Sequence, residues 1–177
     1  DPDPGVRLPP ASELGIFEGD LELLDPALFD LTLEEKTERL AKGEAAGMGH
    51  DKRITNSSGA MWQDSRRQII LANSEGFTGS YASGNAAFAV NLIAEEDNIK
   101  QIEGWYTAAR VPGKLEDPEA VGLMAADRAL RKLGARSLKS QRCTVVFDHS
   151  TGADLMKILC EAASASSIYR KSSFLVG

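Results

Sequence analysis

In Ala86-Ala-Phe-Ala-Val-Asn-Leu-Ile-Ala94, Phe88, Val90, Leu92 and Ala94 alternate with Ala87, Ala89, Asn91 and Ile93. A period of two marks a strand with one large apolar face and one mixed face. Around it, Gln68–Ala72, Phe77–Tyr81 and Ile99–Ala108 read as further strands, with Glu95-Glu-Asp-Asn98 as a connecting turn. An antiparallel meander of this kind buries one side and wets the other, so it needs helices on its apolar face.

Two helices answer that need. Thr32 with Glu35 three positions on forms a capping box, and Leu33, Leu40, Ala41, Ala45 and Met48 supply an apolar face, which predicts a helix over 33–46 stopped by Gly47 and Gly49. Asp117 as cap, Pro118 in the first turn and Leu123, Ala126, Leu130 and Leu133 at helical spacing predict a second, stopped by Gly134. The expected fold is α+β: an antiparallel β-meander covered on one face by helices, followed by the first strand and helix of a next module.

That next module begins at Cys143. Thr144–Phe147 reads as a short buried strand, and Asp-His-Ser-Thr-Gly152 as its turn into a helix capped by Thr151. Lys157 and Glu161 form one narrow polar stripe, so this helix is expected to be buried around most of its circumference. Cys143 and Cys160 read as small buried hydrophobes in a reducing setting.

Residues 1–31 carry five of the seven prolines, which predicts an extended arm with one helical turn near Pro26–Phe29. Leu14, Ile16, Phe17, Leu23, Leu24 and Phe29 predict that the arm lies against a surface. Ile54-Thr-Asn-Ser-Ser-Gly59 and Leu71-Ala-Asn-Ser-Glu-Gly76 are near copies, each expected to be a strand end entering an Asn-Ser-x-Gly turn.

The formal charge of −6 argues against a nucleic-acid backbone binder. Arg66-Arg67, Arg128 with Arg131-Lys132, and Arg170-Lys171 read as solvated positions. No apolar run reaches the roughly 18 residues that cross a bilayer. No Gly-x-Ser-x-Gly elbow or phosphate-binding loop is present, and His50 and His149 with two isolated cysteines make no zinc pattern. His149 is the histidine of interest because it stands where a strand hands over to a helix.

Taken in order, Arg53-Ile-Thr-Asn-Ser, Ala72-Asn-Ser-Glu-Gly-Phe77, Tyr106-Thr-Ala-Ala-Arg110, Leu115-Glu-Asp-Pro-Glu-Ala-Val-Gly122, Leu133-Gly-Ala-Arg136, Val145-Val-Phe-Asp148 and the Arg170–Phe174 segment resemble the TldD/PmbA family over most of the chain. The resemblance implies a central portion of a longer protein: 1–31 an arm from a preceding domain, 32–137 the central α+β domain, and 138–177 the start of a C-terminal domain. In the TldD branch the last helix carries a His-Glu-x-x-x-His metal motif. Its aligned positions here are Lys157, Ile158 and Ala162. A protonated ammonium cannot ligate zinc, and Ile and Ala have no donor atoms.

The chain therefore resembles the PmbA/TldE branch. The resemblance implies a noncatalytic subunit with no cofactor of its own, partnered by a zinc-bearing TldD-like subunit in the cytoplasm. It further implies action on unfolded or disordered peptides, including antitoxin turnover and microcin maturation, without a nucleic-acid or membrane partner. Asn73, Ser74, His149, Arg170 and Lys171 are the candidate peptide or interface residues. Two alternatives stay open: a metal-dependent peptidase with ligands outside this stretch, and a gyrase- or DNA-associated regulator.

Overall fold

The computed structural model describes Leu8, residues 11–15 and residues 19–176. The chain divides into two compact units, Asp1–Ala135 and Arg136–Gly177.

The first unit is built on three antiparallel strands in the order β1-β2-β3: β1 Ile54–Ala72, β2 Thr78–Glu96 and β3 Ile99–Ala109. The expected α+β meander is present, but with fewer and longer strands than the sequence reading divided it into. Ile54–Gly59 is not a turn. It is the start of β1, with register shifts between Ile54 and Asn56 and between Ser57 and Gly59. The Asn and Ser side chains still bond the backbone nearby, Asn56 Oδ1 accepting from Ser57 N–H and Ser57 Oγ from Gly59 N–H, both at 2.9 Å. That chemistry here accommodates bulges inside a ladder. The second near copy is a turn: Asn73 Oδ1 accepts from the N–H groups of Glu75 and Phe77 at 3.0 Å, and Gly76 adopts φ 88°.

On one face of the sheet, Phe88, Val90, Leu92 and Ala94 are buried as the alternation requires. Covering them are α1, Leu33–Met48, and α2, Pro118–Arg131. Thr32 and Glu35 complete their capping box, and Asp117 caps α2 through the Glu119 N–H with Pro118 in its first turn. Of the predicted faces, Ala126 is buried and Leu40, Met48, Leu130 and Leu133 pack against the core, but the centre of each face is different. Leu33 is 80% exposed and Leu123 is 40% exposed, whereas Gly43 and Gly47 of α1 and Val121, Gly122, Ala125 and Ala129 of α2 are buried.

Small residues win because the helices cross backbone against backbone. A Cβ on Gly47 would lie 2.5 Å from Leu92 Cδ1 and 2.7 Å from the Gly122 carbonyl oxygen; one on Gly43 would lie 2.6 Å from Phe88 Cζ. Polar contacts pin each helix to the sheet. Lys36 Nζ of α1 meets Asp64 Oδ2 at 2.5 Å, and the Trp62 indole N–H donates to the same oxygen at 2.9 Å. Lys132, capping α2, pairs with Glu103 of β3, and the Arg128 guanidinium lies 5.1 Å from the Trp105 ring centre.

The arm holds its expected helical turn at Pro26–Phe29, capped by Asp25, with Leu28 buried. Leu24 and Phe29 lie over Gly84, and the Gly84 N–H donates to the Leu23 carbonyl at 2.9 Å. Ile16 and Phe17 lie outside the described residues.

The second unit departs further from the sequence reading. Residues 137–148 are irregular, and Val146 is 90% exposed. The strand expected at Thr144–Phe147 has no ladder partner among the described residues, and an unpaired segment leaves its backbone groups to water. The helix α3, His149–Ala162, is capped by Asp148 and not by Thr151: the Asp148 carboxylate accepts from the Thr151 N–H at 2.9 Å. Nor is α3 buried on most sides. Leu155, Met156, Ile158 and Leu159 are exposed, Ala162 is buried, and Cys143 and Cys160 are exposed free thiols. A short α4, Ala165–Tyr169, follows with Ser164 as its cap.

Candidate functional site

The sheet has a step in it. The last β2–β3 pair is Ala86 with Ala109, whereas the β1–β2 pairing runs on to Ala72 with Thr78. Among the described residues Thr78–Asn85 therefore has a strand on one side only, and the Leu23–Gly84 bond fills one place on the other. Strand backbone groups alternate in direction, so Ala82 and Ser80 turn their N–H and C=O to the same side as Gly84.

At this step a depression of about 690 Å³ opens, bounded by Ser65, Arg66, Arg67, Ser83, Asn85 and Arg110. Each strand brings its part through register: Ser65 faces Asn85, Arg67 faces Ser83, and Arg110 follows the residue where β3 stops pairing. Ser65 Oγ donates to Asn85 Oδ1 at 2.6 Å, which leaves the Asn85 amide N–H groups as donors. Among the described residues no carboxylate pairs with Arg66, Arg67 or Arg110. Asp64, the nearest carboxylate in sequence, lies on the face of β1 opposite Ser65 and Arg67, the face it shares with Arg66. Lys36 first, then the Trp62 indole, hold its pKa below the ordinary value. The depression thus presents donors and positive charge in a chain whose net charge is −6.

The residues singled out from sequence stand as follows. Asn73 uses its side chain to hold the β1–β2 turn, and Ser74 is exposed at that tip. His149 is the first residue of α3, Arg170 follows α4 as its cap, and Lys171 has φ 54°. Lys157 and Ile158 are exposed on α3, and Ala162 is buried at its end. Asn73 and Ser74 belong to the first unit and the others to the second. Among the described residues, no three His, Cys, Asp or Glu side chains are grouped to hold a metal ion, and no helix is long and apolar enough to cross a membrane. Sequence reasoning missed the grouping of Arg67 with Arg110, because it depends on pairing across three strands.

These features define an α+β domain: a three-stranded meander roofed by two closely crossed helices, with a cationic depression where the sheet narrows. The chain belongs to the PmbA/TldA metallopeptidase family, whose central domain it matches over residues 26–133. It is 32% identical to Metalloprotease PmbA of Escherichia coli O157:H7 over 175 residues, which is 99% of this chain and 38% of that protein. It is 30% identical to a Metalloprotease PmbA homolog of Haemophilus influenzae over 157 residues, 89% of this chain and 34% of that protein. The chain thus spans little more than a third of the curated relatives' length. A gyrase-modulator candidate from Bacteroides thetaiotaomicron shares the fold with a TM-score of 0.87 at 24% identity, covering 98% of this chain and 39% of that one. TldE from Thermococcus kodakarensis does so with a TM-score of 0.57 at 20% identity, covering 75% and 28%.

Proposed function

We propose that this chain is the central part of a PmbA/TldE-type subunit that lacks catalytic metal chemistry of its own and works beside a zinc-bearing TldD-like subunit in the cytoplasm. The observation that carries this is the identity of Lys157, Ile158 and Ala162, at the positions where the TldD branch bears His, Glu and His. None supplies a neutral nitrogen or a carboxylate to a metal near neutral pH. The subunit would complete a chamber and hold unfolded peptide, with antitoxin turnover and microcin maturation as its processes. The one-sided stretch of β2 supports the peptide-holding role, because an extended chain can add to a sheet edge through main-chain hydrogen bonds with little demand on sequence.

The test is to purify the full-length protein with and without its TldD-like counterpart and assay cleavage of a disordered peptide. Activity is expected only for the pair, and peptidase activity of the isolated full-length protein would overturn the reading. The relatives' name, Metalloprotease PmbA, favours a second reading in which the whole protein binds its own metal. Near-stoichiometric zinc in the isolated full-length protein would establish that one.

A further inference from the structure

The geometry points to the depression at the step in the sheet as a binding site for a carboxylate of a peptide, so that this subunit favours acidic segments of a disordered chain. The inference rests on the peptide-holding role proposed above and adds to it a chemical preference.

Three observations converge. Arg67 and Arg110 border one depression although 43 positions separate them in sequence, and among the described residues neither meets a carboxylate; Arg66, beside Arg67 in the strand, turns its side chain to the other face. Guanidinium groups match the planar fork of a carboxylate, and their charge-assisted bonds are the strong ones. The neutral part of the lining adds donors: Asn85, whose oxygen accepts from Ser65, has two amide N–H groups to offer. Beside these donors runs the single-sided stretch of β2, where Ser80 and Ala82 can accept and donate main-chain bonds to an extended segment. A peptide laid there has its backbone held by the edge and an acidic group held by the arginines. A nucleic acid fits less well, since two cations on a chain of net charge −6 neutralise too few phosphates to hold a polyanion at physiological salt.

The experiment uses the full-length protein and fluorescent disordered peptides of equal length. One carries Asp and Glu with an amidated C-terminus, one carries Asn and Gln with an amidated C-terminus, and one carries Asn and Gln with a free C-terminus. Preference for the first assigns the site to side-chain carboxylates, and preference for the third to the chain terminus. Either is expected to exceed the uncharged peptide by about tenfold and to lose that advantage in R67Q/R110Q, with R67K/R110K restoring part of it. Unchanged thermal melting of both variants separates loss of the site from loss of the fold. Equal binding of all three peptides, or a preference that survives R67Q/R110Q, overturns the carboxylate site and leaves the peptide-holding role standing. Binding of none overturns both. A single-stranded oligonucleotide that binds more tightly than the acidic peptide at physiological salt also overturns the assignment.

Discussion

Gly122 of α2 faces the carbonyl oxygen of Gly43 of α1 with no room for a methyl group between them. Alanine is the better helix former, so local propensity alone would make Gly122→Ala stabilising. The crossing reverses that sign. Gly122→Ala is expected to destabilise the domain by about 1–3 kcal/mol, because the helices must separate and lift off Phe88 and Leu92. Gly152 of α3 has nothing within 4 Å of its would-be Cβ, so Gly152→Ala should stabilise its helix by about 0.5–1 kcal/mol. Urea unfolding of the two variants checks both signs.

Asp64 ties β1 to α1, and its behaviour in acid follows from its partners. Its folded pKa lies below the ordinary 3.8 because Lys36 and Trp62 both favour the carboxylate. A depressed pKa contributes stability above the ordinary value, and that contribution disappears as the pH falls through the folded value. Asp64→Asn should therefore cost about 1–2 kcal/mol near neutral pH and make stability less dependent on pH below about 4. Urea titrations at a series of pH values show whether the acid limb flattens.

The cap of α3 separates two readings of one segment. Asp148 accepts the Thr151 N–H, so Asp148→Ala should cost the helix about 1 kcal/mol, whereas truncating the Thr151 side chain should cost much less. Amide hydrogen exchange across the first turn of α3 reports the difference.

At the tip of the long hairpin, Gly76 holds a left-handed backbone and Asn73 accepts two amides. Gly76→Ala and Asn73→Ala are each expected to cost about 1 kcal/mol locally, the first through strain and the second through lost hydrogen bonds. Limited proteolysis should show faster cleavage near the tip while the helical half stays protected. A tip that is cut no faster in either variant would contradict this.

What the sequence disclosed was the local chemistry with few alternatives. Thr32 with Glu35 and Asp117 with Pro118 begin helices because their side chains satisfy specific amides, and the alternation through Phe88 and Leu92 admits one buried face. Leu40, Met48, Ala126, Leu130 and Leu133 pack on the core as the spacing predicts, but size is a poor guide to the centre of the helix crossing. Leu123 is larger than Gly122, yet only the glycine permits the crossing. The bonding of Asn56–Gly59 serves turns and bulges alike, and only pairing with β2 decides between them. Thr144–Phe147 has strand composition, but composition does not provide a neighbouring strand. Arg66-Arg67 reads as a solvated pair, and only the register that sets Ser65 against Asn85 places Arg67 at the end of the sheet where Arg110 leaves β3.

The two irregularities near the start of β1 have an arithmetic of their own. One surplus residue between Ile54 and Asn56 inverts the phase of the strand, and a second between Ser57 and Gly59 inverts it back, so Ile54 and Ala60 point the same way. Removing either spacer alone would swing Ile54, or everything from Ala60 onward including Arg67, to the opposite side. Removing both would not. The placement of a charged side chain some ten positions downstream is thus settled by an even count of extra residues far from it.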